Sequence, residues 1–189
     1  MFNLIALSGR KGSGKSMVAS LLQKKLKGYT QQAFAAPLKA TVRDLTGCNI
    51  YDLENQEFKQ KDSPISKPDG GFYTYREILQ LVGTDLMRKG LNDNIWIDAL
   101  FSGYSPDRKW IITDCRFPNE CVAVGERGGI VIRINRPGLD ESDPHPSETA
   151  LDTCPFKYFI NNDCTLEELE TKIDAVVALL SINAPCFAV

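Results

Sequence analysis

Gly9-Arg-Lys-Gly-Ser-Gly-Lys-Ser16 constrains this chain more than any other stretch. It matches G-x-x-x-x-G-K-[ST] at every fixed position and joins two segments of different pattern. Before it, Phe2-Asn-Leu-Ile-Ala-Leu7 is a nearly continuous apolar run, as expected of a strand covered on both faces of a parallel sheet. After it, Val18, Leu21, Leu22 and Leu26 recur at helical spacing, and Gly28 closes the run. A strand, a glycine-rich turn and a helix N-terminus in that order form a cradle for phosphate oxygens. Backbone N–H groups point inward, Gly9, Gly12 and Gly14 leave room for the anion, and the helix end adds partial positive charge. Lys15 is placed to reach β- and γ-phosphates, and the Ser16 hydroxyl to ligate Mg²⁺. Gly9, Arg10, Lys11, Gly12, Ser13, Gly14, Lys15 and Ser16 are therefore the candidate ATP-binding residues. The bland alternative is a strand–helix turn that holds nothing.

Strands and helices alternate along the rest of the chain. Gln31–Ala35 is a candidate second strand, and Pro37 opens a helix to about Leu45. Residues 48–73 are polar, with Pro64, Pro68, Gly70 and Gly71, and read as a loop-rich insert. Helical patterning returns in two pieces between Thr74 and Phe101, separated by Gly90–Asn94. Trp110–Thr113 and Ile130–Ile134 are buried strands. A short helix lies between them, opened by Pro118 and ended by Gly128-Gly129. Arg136–Pro155, rich in Pro, Asp and Ser, reads as a mobile loop. Tyr158–Ile160 is a last strand. Thr165 and Glu168 form a capping box for a final helix with Leu166, Leu169, Ile173, Val176, Val177 and Leu180 on its apolar face. This order implies an α/β protein with a mainly parallel sheet.

The chain has 189 residues, 43% hydrophobic and 24% charged, which suits one globular domain. Its 22 Lys and Arg against 24 Asp and Glu give a net charge of -2, which lacks the basic footprint of a nucleic-acid binder. No apolar run approaches the ~20 residues a membrane helix needs. Met1 leads into the motif without a basic leader or cleavage site, so a cytoplasmic location is expected. Cys48, Cys115, Cys121, Cys154, Cys164 and Cys186 show no C-x-x-C spacing and lie far from the single His145. Free, mostly buried thiols are expected rather than zinc ligands or disulfides.

A phosphate loop serves kinases, GTPases and motors alike. Thr171-Lys-Ile-Asp174 matches the base-reading N/T-K-x-D of GTPases, but it falls inside the last amphipathic helix. Asp114-Cys-Arg-Phe117 is not the D-x-x-G such enzymes place after a strand. A motor needs more chain and an acidic pair after a strand. A small-molecule kinase remains.

Further segments bear on which kinase: Ala36-Pro-Leu-Lys39, Leu79-Gln-Leu-Val-Gly-Thr-Asp-Leu86, Trp96, Thr113-Asp-Cys-Arg-Phe-Pro-Asn-Glu120, Arg136-Pro-Gly138, His145-Pro-Ser-Glu148 and Asn161-Asn-Asp-Cys-Thr-Leu-Glu-Glu-Leu169. With the phosphate loop, and in this order, the sequence resembles phage-type deoxynucleoside monophosphate kinases over nearly its whole length. The resemblance implies a three-layer P-loop fold. Its parallel five-stranded sheet has order 2-3-1-4-5 and helices on both faces. It also implies one kinase domain over residues 1–189, with an acceptor-binding helical insert at about 36–103 and a lid loop at about 136–155. The implied reaction passes the ATP γ-phosphoryl group to a deoxynucleoside 5′-monophosphate with Mg²⁺, and a homodimer is a reasonable assembly.

Candidate roles follow from position and from the resemblance together. Asp114, at a strand's C-terminal edge, faces the crevice where ligands bind in such sheets. Arg116 can fork onto a phosphate, and Glu120 lies on the first turn of the next helix. The resemblance makes all three acceptor contacts; the alternative for Asp114 and Glu120 is service to the helix N-terminus. It likewise makes Lys39 an acceptor-phosphate contact, where a solvated lysine is the alternative. Arg76, Gln80, Gly83 and Thr84 are candidates to line one wall. Trp96 either stacks on the base or belongs to the core. Arg136 is a lid arginine, and His145 and Glu148 a lid-stabilising pair. By resemblance Asn162 borders the adenine of ATP, although Cys164 replaces the glycine expected in that turn. Arg10 and Lys11 either neutralise transferred charge or face solvent. Two other classes remain. One is a hydroxyl kinase of the dephospho-coenzyme A type, with Asp114 as general base. The other is a non-catalytic ATP-binding switch.

Overall fold

The computed structural model describes residues 2–139 and 144–182. The chain divides into two compact units, Met1–Ala33 with Tyr104–Val189, and Phe34–Gly103.

The first unit is built on strand β1 (Leu4–Ser8), every residue of which is buried. It pairs in parallel with β5 (Trp110–Cys115) on one side and β6 (Ile130–Asn135) on the other, with Ile5 opposite Ile111 and Ile130. Outside these lie β2 (Thr30–Gln32), parallel to β5, and β7 (Tyr158–Asn161), parallel to β6. The order is β2-β5-β1-β6-β7. Counting only these five parallel strands, this is the expected 2-3-1-4-5; the labels differ because a hairpin of the second unit intervenes in sequence. β2 is shorter than expected and stops at Gln32.

Side chains alternate across the sheet. Ile5 and Leu7 pack with Val18, Leu21 and Leu22 of α1 (Lys15–Lys25) and with Leu169, Ile173 and Leu180 of α7 (Leu166–Ile182). Leu4 faces the other layer. A β-carbon on Gly129 would lie 2.8 Å from Val124 of α5 (Pro118–Glu126) and 2.9 Å from Leu4, so that layer closes tightly. The Thr165–Glu168 capping box forms as read, Thr165 N–H donating to Glu168 at 2.9 Å. Thr171–Asp174 is helical and Ile173 is fully buried, which excludes a base-reading loop there. The loop after β6 is not irregular throughout: Pro146–Thr149 forms a helical turn, α6. Within that loop residues 140–143, and beyond α7 Cys186, lie outside the described residues.

The second unit is mostly helical. α2 (Ala36–Thr46) has Pro37 in its first turn and ends on Gly47 in the left-handed conformation. The expected loop-rich insert carries more order than its composition suggested. β3 (Asp62–Ser66) and β4 (Phe72–Thr74) form an antiparallel hairpin, turned by Gly70 and Gly71 at positive φ. Thr74 and Glu77 then form a capping box for α3 (Tyr75–Gln80). A π-helical segment, Leu81–Lys89, continues it, and α4 (Ile95–Phe101) closes the unit. Close approach of α2 to the π-helical segment requires Gly83, where a β-carbon would meet Leu38 at 2.6 Å. No helix among the described residues is long and apolar enough to cross a membrane.

Candidate active site

The phosphate loop spans the end of β1 and the start of α1, all in the first unit. Gly14 shows why the motif needs glycine. Its φ is +94°, and a β-carbon there would lie 2.3 Å from Asn162 Nδ2. That amide donates to Ser13 O at 2.9 Å and clamps the loop from the end of β7. Asn162 thus serves the loop directly; its main chain is held in turn by N–H donation to Asn135 O at 2.7 Å. Ser13 Oγ is buried without a hydrogen-bond partner, a polar atom left inside the cradle. Ser16, the second residue of α1, is exposed.

Lys15 curls over the loop, donating to Gly9 O at 2.7 Å and Arg10 O at 2.8 Å. Burial lowers its ammonium to about pKa 8; nearby Arg116 pushes the same way, while Glu148 and Asp114 oppose. Lys15, Asp114, Arg116, Arg133 and Glu148 therefore form one charged cluster around the phosphate cradle.

Asp114 and Arg116 reach it because β5 ends beside β1. Arg116 Nη1 donates to Ser147 O at 3.1 Å and forms an ion pair with Glu148. Burial alone would lower the guanidinium's pKa, but Glu148 outweighs it and the group is firmly cationic. Glu120 is placed differently from expectation. It is buried, and its Oε2 accepts from the N–H groups of Arg116 at 2.7 Å and Phe117 at 3.1 Å. The carboxylate fixes the turn that aims Arg116 and serves the helix N-terminus.

Described parts of the loop after β6 reach the cradle. Arg136 Nη1 donates to Gly12 O at 3.4 Å. Glu148 Oε2 accepts from Lys11 N–H at 2.8 Å, so Lys11 contributes through its main chain. Arg10 is held by an ion pair: Asp152 pairs with it at 2.5 Å and with Arg133 at 2.9 Å. His145 caps α6, its Nδ1 accepting from Ser147 N–H at 3.2 Å. A cleft of about 530 Å³ opens beside these groups, lined by Arg10, Arg133, Asn135, Arg136, Pro137, Leu139, Asp152, Asn161 and Asp163 with Ile134.

Arg133 and Asp152 were missed in sequence. Arg133 interrupts the apolar run Ile130-Val-Ile-Arg-Ile134, where an arginine near the C-terminal end of a buried strand needs a reason. It donates to Ser8 Oγ at 3.1 Å and lies over the Phe156 ring. Asp152 sits in a stretch whose composition hid it.

The remaining candidates belong to the second unit. Lys39 pairs with Glu54 at 2.5 Å, and Arg76 donates to Gln56 at 2.8 Å. Gln80 is half-buried and Thr84 is buried. Trp96 is a core residue, 7% exposed, and its indole N–H donates to Gly83 O at 2.8 Å. Burial and this bond hold the ring in place without a ligand. Among the described cysteines only Cys115 is fully buried, fewer than expected; Cys121 lies 3.4 Å from it as a second free thiol. No His, Cys, Asp and Glu cluster suited to a metal occurs among the described residues.

Comparison with known proteins agrees with this geometry. The family model for deoxynucleotide monophosphate kinase matches residues 51–173. A protein of Acanthamoeba polyphaga mimivirus, named as a candidate deoxynucleotide monophosphate kinase, is 34% identical over 92% of this chain and 95% of its own. The deoxynucleotide monophosphate kinase of Enterobacteria phage T4 is 31% identical over 57% of this chain and 47% of its own. The corresponding kinase of Escherichia phage T5 is 32% identical over 67% and 53%. This chain thus spans about half the length of those two phage relatives. The dephospho-CoA kinase of Campylobacter jejuni aligns over 96% of this chain and 98% of its own, with a TM-score of 0.51 at 13% identity, and shares the fold. The chain belongs to the deoxynucleotide monophosphate kinase family.

Proposed function

We propose that the chain transfers the γ-phosphoryl group of ATP to a deoxynucleoside 5′-monophosphate, giving ADP and the deoxynucleoside diphosphate. One observation carries this reading. Lys15, Arg10, Arg116 and Arg133 converge on a glycine-built phosphate cradle at the end of a parallel sheet.

The chemistry needs no covalent intermediate. Bringing two polyanions together is the main obstacle, and positioned cations reduce their repulsion. Loop N–H groups and Lys15 take the donor phosphates, and Arg116 the acceptor phosphate. An oxygen of the acceptor phosphate attacks the γ-phosphorus in line while the bond to the bridging oxygen of ADP breaks. The acceptor is mostly dianionic near neutrality, its second pKa being ~6, so no general base is required. Arg136, already at Gly12 O, is suited to equatorial oxygens as charge spreads over them. The exposed Ser16 and the unpartnered Ser13 Oγ fit an oxygen-seeking Mg²⁺–phosphate group at this helix end. Mg²⁺ held through Ser16 would neutralise phosphate charge. The cleft beside Asn161–Asp163 and Arg136–Leu139 suits the donor nucleoside. Phe34–Gly103, with Lys39, Arg76, Gln80, Gly83 and Thr84, supplies the acceptor contacts. Closure of the 136–155 loop would exclude water. A homodimer, and the cytoplasm of an infected host cell, complete the reading; the viral and phage sources of the relatives support the latter.

ADP release from ATP and Mg²⁺ across dAMP, dCMP, dGMP, dTMP, their ribo-counterparts and dephospho-coenzyme A tests it. Stimulation by deoxynucleotides, weaker with ribonucleotides, is the expected result. Stimulation by dephospho-coenzyme A alone would make Asp114 a general base on a hydroxyl. A flat panel with measurable ATP binding would leave a binding switch.

A further inference from the structure

One side chain joins the donor loop to the acceptor arginine and has no part in the mechanism above. Glu148 lies on α6, its side chain 7% exposed. Its Oε2 accepts from Lys11 N–H at 2.8 Å, and its Oε1 pairs with Arg116 Nη1. Lys11 N–H belongs to the loop that receives donor phosphates. Arg116 is the cation assigned to the acceptor. A carboxylate is therefore seated on two donors that phosphoryl oxygens want, within the field of Lys15. Carboxylate and phosphate make the same demands, charge-assisted bonds from a guanidinium and from main-chain N–H groups. Two anions on one pair of donors repel each other.

We propose that Glu148 is an internal phosphate surrogate, which competes with substrate phosphoryl oxygens for Lys11 N–H and Arg116 and is displaced when nucleotide binds. The inference rests on the function proposed above. The surroundings fit a part that lets go without unfolding. Four residues on, Asp152 pairs with Arg10 and Arg133 and keeps the arm anchored when Glu148 leaves. His145 caps the α6 turn through Ser147 without the Glu148 side chain. The surrogate also keeps Arg116 extended toward the loop, so the arginine meets phosphate already placed.

Inorganic tripolyphosphate, which has no base or sugar, is the probe. Its affinity is measured by titration calorimetry on wild type, Glu148→Gln and Glu148→Asp, with melting curves to show that each is folded. Removing one charge-assisted competitor should tighten tripolyphosphate binding about tenfold in Glu148→Gln. Glu148→Asp keeps the charge but is one methylene too short to span both donors, and should also tighten. A general field effect would leave the aspartate variant at the wild-type value. Unchanged or weaker binding in Glu148→Gln overturns the proposal, as does a wild-type value in Glu148→Asp. A second measurement needs no variant. Burial alone would raise the Glu148 carboxyl pKa, but Arg116 and Lys11 N–H outweigh it and hold the group below the ordinary value. Followed by carboxyl-carbon NMR in wild type, its titration should move up on saturation with tripolyphosphate; an unmoved titration overturns the proposal. Failure of the underlying function looks different: ADP release then shows no stimulation by deoxynucleotides, whatever the order of tripolyphosphate affinities among the variants.

Discussion

Lys15 offers a test in which a wrong mechanism cannot hide. Its ammonium titrates at about 8, chiefly because of burial and secondly because of Arg116. At pH 8 half of the free enzyme carries a neutral Lys15, and each further unit lowers the charged fraction about tenfold. The donor phosphates need that charge. Since kcat/KM reports the free enzyme, kcat/KM for ATP should fall above pH 8 with a slope approaching tenfold per unit. Bound phosphates add negative charge beside Lys15, so its pKa rises in the complex and the limb in kcat moves to higher pH. The acceptor phosphate titrates near ~6 and stays out of this window. Initial rates of ADP release from pH 6.5 to 9.5 at saturating acceptor, on wild type and Lys15→Arg, decide the matter. Arginine keeps its charge throughout, so whatever activity Lys15→Arg retains should show no limb. A flat wild-type profile, or the same limb in Lys15→Arg, would refute the assignment. Stability carries the complementary sign. The folded pKa lies below the unfolded value of 10.5, so the unfolded chain binds more protons between about pH 8 and 10.5. The penalty is full below pH 8 and is relieved as pH rises through that window. The shift of about 2.5 (10.5 less 8) converts to roughly 3 kcal/mol. Lys15→Met should abolish transfer yet melt higher at pH 7, by less than that figure implies, because Gly9 and Arg10 carbonyls lose their donor.

Three further outcomes follow from single contacts. Arg116→Ala should raise KM for the acceptor far more than KM for ATP in steady-state rates, and equal effects would misplace the acceptor phosphate. Gly14→Ala should cost roughly 2–4 kcal/mol in urea melts, from a strained φ together with the Asn162 clash, and Asn162→Ala should recover the clash but not the strain. Trp96→Phe should cost about 1 kcal/mol for the lost bond to Gly83 O while leaving the preference among acceptor bases unchanged; altered base selection would return Trp96 to the site.

What the sequence disclosed and what it hid divide along physical lines. Patterns that repeat locally were legible: the apolar run of β1, the glycine spacing, the Thr165–Glu168 box and the helical face of α7. Each is decided by neighbours within a few residues. Roles that depend on a distant partner were not. Arg133 reads as one oddity in a strand until Asp152 and Ser8 are set beside it. Glu120 has the type and place of a ligand, but one of its oxygens accepts from N–H groups three and four residues before it. Trp96 left two readings open because helical spacing serves core and pocket equally; its burial and a bond 13 residues back give it a place in the core that spacing alone could not assign. The β3–β4 hairpin was masked by a polar composition, since a small exposed ribbon needs few apolar residues.

The Asn162 clamp has a consequence for biosynthesis. Ser13 and Asn162 are 149 residues apart in the chain. At ~5–20 residues per second, a ribosome needs on the order of ten seconds to make the second after the first. β1, flanked on both sides by strands made later, also waits for its neighbours, though less long. The nascent chain therefore carries its phosphate-binding residues long before it carries a phosphate-binding site. Nucleotide in the cell cannot steer the early stages of folding, and stabilises this protein only after synthesis has passed Asn162.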